Sequence, residues 1–214
     1  MKEVVDKLVE WLRSSVKEAN CKGIVYGLSG GVDSAVIAAL SKLAFDDESL
    51  AIMMPINSCE EDEKDAKLVI DKFKLNAIKI DLSKTYSVFT DSVEKGDNSM
   101  AYANIKPRLR MTTLYYYAQL KRYLVVGTSN KSEFTVGYFT KYGDSGSDLM
   151  PLVDFTKREI FELAKFLKVP DKMQEFFSPF MHIVVGQILE YISARVYNNK
   201  TDKRILISID EFAS

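Results

Sequence analysis

Histidine and cysteine are almost missing from this chain: His182 stands alone, and Cys21 and Cys59 are the only thiols. That shortage argues against a zinc site of cysteine and histidine and against a disulfide framework, and it fits a reducing cytosol. With no ligand cluster around it, His182 reads as a packing or hydrogen-bonding residue. Net charge is nearly absent too, −1 over 214 residues, which disfavours broad electrostatic capture of nucleic acid while leaving room for a local basic pocket. No apolar run approaches membrane-spanning length, and Met1-Lys2-Glu3-Val4-Val5-Asp6-Lys7 lacks the apolar centre of a secretion signal. The expected location is cytoplasmic, with neither nucleic acid nor membrane as a partner. What the chain does have is 47% hydrophobic residues, enough for a sizeable core in one large domain, or one domain with an added oligomerisation element.

One further absence is the most informative. Gly23 to Leu28 reads as a short buried strand and Val32 to Leu43 as a helix, joined by Ser29-Gly30-Gly31. Two glycines permit sharp backbone geometry, and a helix start offers N–H groups and a favourable field to an anion, so the turn reads as a phosphate cradle. The common phosphate loop ends in Gly-Lys-Ser/Thr, whose lysine reaches the outer phosphates. Here Gly31 is followed by Val32-Asp33-Ser34 instead. A carboxylate beside phosphate needs a divalent cation between them, so Asp33 reads as a metal ligand and magnesium is implied.

Along the chain, Val4, Val5, Leu8, Leu12 and Val16 recur at helical spacing, an amphipathic helix that covers a sheet or a partner subunit. Leu50 to Pro55 reads as a second strand with Pro55 at its exit. The acidic run Glu60-Glu61-Asp62-Glu63 opens a helix, where its charges offset the helix field. Ala77 to Asp81 reads as a third strand, with a short helix near Tyr86 to Val93 after it. A helix opens at Asn104 and runs through Leu120, bearing Lys106, Arg108 and Arg110, whose charges suit phosphate or carboxylate recognition. Tyr123 to Thr128 reads as a strand that exits towards Glu133, placed to complete a cation site with Asp33. Gly137 to Asp148 mixes aromatic, basic, acidic and glycine residues as a shaped binding loop does. Helices are expected from Lys157 to Leu167 and over Ile183 to Val196. Alternating strands and helices predict an α/β fold with a parallel sheet flanked by helices and ligands at the carboxyl ends of the strands.

Ser-Gly-Gly-Val-Asp-Ser at a strand-to-helix junction resembles the signature of the adenylate-forming ATP pyrophosphatases, of the adenine nucleotide alpha-hydrolase-like fold. With Asn104 to Met111, Gly127 to Glu133, Gly137 to Asp144 and Pro151 to Lys157, most of the chain resembles the ammonia-dependent NAD synthetases. That resemblance implies a single domain over 1–214 that activates the nicotinate carboxylate of deamido-NAD with ATP and lets ammonia displace AMP. It places Ser29, Gly31, Ser34, Met54, Arg110, Thr128 and Lys157 on ATP, and Asp33 and Glu133 on Mg2+. By the same resemblance Asn104, Arg108, Lys141 and Asp144 are expected to face deamido-NAD. Asp33, Lys157 and Asp144 enter the reaction itself, Lys157 to stabilise phosphate and Asp144 to orient ammonia or the nicotinate ring. A homodimer paired through terminal helices is also implied.

The sequence departs from the family where Val169-Pro170-Asp171-Lys172 runs directly into Met173-Gln174, without the polar Pro-Ser/Thr-Ala-Asp/Gly-Leu stretch usual there, and where Asp202 stands at a position often occupied by histidine. Two other readings stay open at this point. One is a different amidating or nucleobase-modifying ATP pyrophosphatase; the other is a non-catalytic nucleotide-binding regulatory protein.

Overall fold

The structure, a computed structural model, describes residues 1–172. Four parallel strands, β1 (Gly23–Gly27), β2 (Ser49–Met53), β3 (Ala77–Lys79) and β4 (Tyr123–Val126), form one sheet in the order β3-β2-β1-β4. Eight α-helices connect and flank them among the described residues: α1 (Lys2–Glu18), α2 (Val32–Phe45), α3 (Glu60–Phe73), α4 (Ser83–Ser92), α5 (Ser99–Ala103), α6 (Ile105–Lys121), α7 (Lys131–Val136) and α8 (Lys157–Phe166). The parallel α/β architecture expected from the alternation is therefore present.

Strand alternation divides the core into two layers. Ile24, Tyr26, Ala51 and Val126 point to one face, where they pack with α2, with Val5, Leu12 and Val16 of α1, and with Ile160 and Leu163 of α8. Val25, Leu50, Ile52 and Val125 point to the other, against Ala118, Leu109 and Leu114 of α6. The apolar stripe of α1 is thus spent on the body of its own chain. α2 is buried on nearly every side, with Ala35, Val36, Ala38 and Leu40 at 2% exposure or less.

The order of strands decides where a ligand can sit. The chain moves outward from β1 to β2 to β3, then returns to place β4 on the far side of β1, with Tyr26 paired to Val126. Loops leaving β1 and β4 consequently run side by side at the carboxyl edge, the usual ligand position in such sheets.

Several boundaries differ from the sequence expectation for identifiable reasons. β3 ends at Lys79 because Asp81 turns back on the chain, its carboxylate accepting from the Ser83 N–H at 2.8 Å, which starts α4 earlier than Tyr86. Residues 131–136 form a short helix where a strand exit was expected. The helix expected over Ile183 to Val196, together with His182 and Asp202, lies outside the described residues.

Candidate active site

The loop over Ser29 to Ser34 is held by its own hydroxyls. Ser34 donates from Oγ to the Gly31 carbonyl at 2.9 Å, and its Oγ lies 3.1 Å from Ser29 Oγ. Ser29 Oγ in turn accepts from the Gly31 N–H at 3.3 Å. Gly30 adopts φ +90°, and a Cβ there would stand 2.7 Å from the Asp62 carbonyl oxygen of α3. Only glycine satisfies both constraints, because other residues rarely take this φ and backbone cannot yield as a flexible side chain can. The loop is thereby seated against α3.

Asp33, in the first turn of α2, meets groups from two distant elements. One of its carboxylate oxygens pairs with the Lys157 ammonium at the start of α8, and the other accepts from Asn130 Nδ2 at 3.0 Å. Asn130 is fully buried and caps α7. Its Oδ1 accepts from the Glu133 N–H at 3.1 Å while its own N–H donates to Glu133 Oε2 at 3.1 Å, a reciprocal capping box. One asparagine therefore holds both carboxylates. Burial raises the Glu133 carboxyl above its ordinary value, Asp33 raises it further, and the Asn130 hydrogen bond and Lys157 pull against both.

A cleft of about 290 Å³ opens beside this cluster, lined by Ser29, Met54, Arg110, Thr128, Asp144 and Ser147 among others. Arg110 on α6 donates from Nε to the Met54 carbonyl at 3.0 Å, tying α6 to the end of β2. Burial lowers the proton affinity of this guanidinium while Asp62 opposes the effect. On the opposite wall Gly127 admits the returning loop: its N–H donates to the Leu149 carbonyl at 2.8 Å, and a Cβ would stand 2.5 Å from Ser147 Oγ.

The remaining expected residues form one linked group where the loop over 137–146 docks on α6. Asn104 Oδ1 accepts from Thr140 Oγ1 at 3.0 Å, Asp144 Oδ1 accepts from the Thr140 N–H at 2.8 Å, and Arg108 Nε donates to the Lys141 carbonyl at 3.2 Å. Lys141 Nζ stands 4.9 Å from the Tyr142 ring centroid.

The NAD synthase sequence profile matches residues 4–181. The chain belongs to the NAD synthase family. An NH3-dependent NAD+ synthetase of Finegoldia magna is 52% identical over 169 residues, covering 79% of this chain and 70% of that protein. The structure also resembles an NMN synthetase from Francisella tularensis, with TM-score 0.78 and 37% identity over 81% of this chain and 73% of that one. An NH3-dependent NAD synthetase from Campylobacter jejuni, in complex with nitrate, gives TM-score 0.79 and 31% identity, covering 94% and 88%.

Within this NAD synthase chain, the expected residues fall into three neighbouring sets. Asp33 and Glu133 meet at Asn130, with Lys157 joined through Asp33; Ser29, bonded to Gly31 and Ser34, lines the cleft with Met54, Arg110, Thr128 and Asp144; Asn104, Arg108, Lys141 and Asp144 meet through Thr140 and the loop backbone. Asn130, Ser132 and Thr140 carried no role in the sequence reading. Ser132 Oγ accepts from the Lys157 N–H at 3.2 Å, joining α7 to the start of α8. The signal for Asn130 was legible as Asn130-x-x-Glu133, and that for the start of α8 as Thr156-x-x-Glu159, both capping boxes in the structure.

Among the described residues no group of three or more histidine, cysteine, aspartate or glutamate side chains is arranged to hold a metal ion. Two carboxylates on a shared asparagine nonetheless fit magnesium, which commonly takes one or two protein carboxylates and fills its shell with phosphate and water oxygens. No described helix is long and apolar enough to cross a membrane.

Proposed function

We propose that this chain amidates deamido-NAD with ammonia at the expense of ATP, releasing NAD, AMP and pyrophosphate. The observation that carries this reading is the union of a hydroxyl-lined glycine loop, a cleft of about 290 Å³ and the Asp33–Lys157–Asn130–Glu133 cluster at one sheet edge. In the first step a nicotinate carboxylate oxygen bonds to the α phosphorus as the bond to the departing pyrophosphate breaks. Ammonia then attacks the acyl carbon, AMP leaves with the bonding electrons, and nitrogen gives up a proton. Magnesium, held by Asp33 and Glu133, would supply charge neutralisation on the phosphates.

The residues of the chain have separable tasks. Ser29, Gly31 and Ser34 receive phosphate oxygens at the start of α2, where backbone N–H groups favour an anion. Lys157 offers an ammonium to the pyrophosphate as charge develops there. Met54, Arg110 and Thr128 bound the nucleoside, and Asn104, Arg108, Lys141 and Asp144 receive the acid. Asp144 orients the nicotinate ring or ammonia, because one of its oxygens already holds the Thr140 N–H. No protein nucleophile is required.

A homodimer and a cytoplasmic location belong to the same proposal. Val88 and Phe89 on α4 and Tyr116 and Leu120 on α6 are at least 46% exposed, and large apolar side chains in the open support burial by a second copy. Cys21 and Cys59 are both free thiols.

The deciding experiment supplies purified protein with ATP, magnesium, ammonia and deamido-NAD. NAD and AMP are expected in equal amounts, with glutamine a poor substitute for ammonia. A parallel arm offers the corresponding mononucleotide acid, since an NMN synthetase is among the similar structures. Preferential formation of NMN would overturn the dinucleotide assignment, and neither product would overturn the activity.

A further inference from the structure

Lys157 occupies a place its own helix does not favour. As the first residue of α8 it sets a positive charge where the backbone N–H groups already present a positive end. Its counter-charge is Asp33, 124 residues away in sequence, and the two side chains keep only 15% and 17% of their surface exposed. Asp33 is held on its other oxygen by Asn130, which also fixes Glu133. Lys157 and Asn130 thus occupy both oxygens of Asp33.

We propose that Lys157 is an internal counter-ion that keeps a free divalent cation off Asp33 and Glu133 until the phosphates of ATP take the ammonium over. The site therefore loads metal together with nucleotide and not before it. This inference rests on the reading of Asp33 and Glu133 as the metal-binding pair.

Charge pairing drives the exchange. With Lys157 on Asp33, a divalent ion approaches one partly neutralised carboxylate and meets a like charge beside it. When triphosphate enters the loop at Ser29 to Ser34, it supplies anionic oxygens within the same partly buried space, and like-charge repulsion pushes Asp33 and phosphate apart. Transfer of the ammonium from carboxylate to phosphate, with a cation between the carboxylates and the remaining oxygens, leaves every charge opposed. Because both side chains are mostly shielded from water, the effect is not lost to solvent screening.

The test titrates Mn2+ into full-length protein without nucleotide and follows free Mn2+ by its electron paramagnetic resonance signal. Lys157→Met and Lys157→Gln are expected to bind Mn2+ at least tenfold more tightly than wild type, and Lys157→Arg, which keeps the charge, to match wild type. The gain should vanish in Lys157→Met combined with Asp33→Asn. The glutamine variant can still donate to Asp33, so it serves where the methionine variant fails to fold. Equal Mn2+ affinity in wild type and the folded neutral variants overturns the inference, as does a gain that survives loss of the Asp33 charge. These titrations need no acceptor acid, so failure of NAD formation in the product assay leaves them readable.

Discussion

Replacing Asn130 with alanine removes a fully buried side chain that makes two different contacts, and each has its own cost. Loss of the cap on the Glu133 N–H costs about 1 kcal/mol. Loss of the donor to Asp33 Oδ1, a hydrogen bond to a charged acceptor, costs about 1.5–3 kcal/mol. Together they predict destabilisation of about 3 kcal/mol, which for a chain of this size lowers the melting temperature by roughly 6–12 °C. The functional cost is separate: the backbone N–H at residue 130 still holds Glu133 Oε2, but Asp33 loses the amide that ties it to the same anchor, so half-saturating magnesium should rise. Asn130→Ser separates the two effects: a serine hydroxyl caps a helix about as well as asparagine but is too short to serve Asp33 as well. It should recover about 1 kcal/mol of stability while leaving magnesium dependence as impaired as in Asn130→Ala. Thermal melts followed by circular dichroism, and initial rates of NAD formation across magnesium concentration, read the two quantities. An alanine variant that melts within about 2 °C of wild type with unchanged magnesium dependence would refute the shared-anchor reasoning.

Gly127→Ala places a Cβ 2.5 Å from Ser147 Oγ and 3.0 Å from Ser147 Cβ, so it should cost about 1–3 kcal/mol by overpacking and raise KM for ATP as the wall over 143–147 shifts. Gly96→Ala, with nothing within 4 Å of its Cβ, is the control, and equal melts for the two variants would contradict the close approach. Glu133→Gln addresses the raised carboxyl. Between the ordinary glutamate value and the raised one, the native state binds more protons than the unfolded state, so this group's contribution to stability falls as pH rises through that window. Glutamine still satisfies the capping box and removes the penalty. In chelator-treated buffer at neutral pH the variant should melt above wild type with a flatter acid-side pH profile, while its magnesium-dependent turnover drops. A lower melting temperature at neutral pH with an intact fold would count against the assignment.

The sheet was legible because its strands are short apolar runs bounded by turn residues, and their two-residue alternation maps directly onto the two layers around Val25 and Tyr26. Boundaries were less legible where a polar side chain redirects the backbone, as Asp81 does before α4. α7 escaped notice because its length of 6 residues is too short for apolar periodicity to emerge, although its capping box was spelled out in the sequence. The turn over Ser29 to Ser34 stood out through local chemistry alone, two glycines and two hydroxyls between an apolar strand and a helix. The partnership of Asp33 with Lys157 did not, since no spacing rule reaches across 124 residues; the family resemblance put both at one site, and only packing of α8 beside α2 joins their charges.

Strand order explains why the decisive contacts are so distant in sequence. Pairing of Tyr26 with Val126 sets the ends of β1 and β4 level, so the segments at Ser29 to Ser34 and at Ser129 to Glu133 leave the sheet side by side. Asn130 can then reach Asp33 across 97 residues of sequence. The long connection that makes this possible also carries α6 over the opposite face, from which Arg110 meets the Met54 carbonyl. The alignment is itself pinned: both Asp148 carboxylate oxygens are engaged, one by the Val125 N–H at 2.7 Å and one by the Tyr115 hydroxyl at 2.9 Å. Asp148 binds no ligand in this scheme, yet it sets the height of β4 against α6. Displacement of that strand by one residue would turn Val125 and Val126 to opposite layers and carry Asn130 away from Asp33, so the Asn130–Asp33 contact depends on the Asp148 carboxylate.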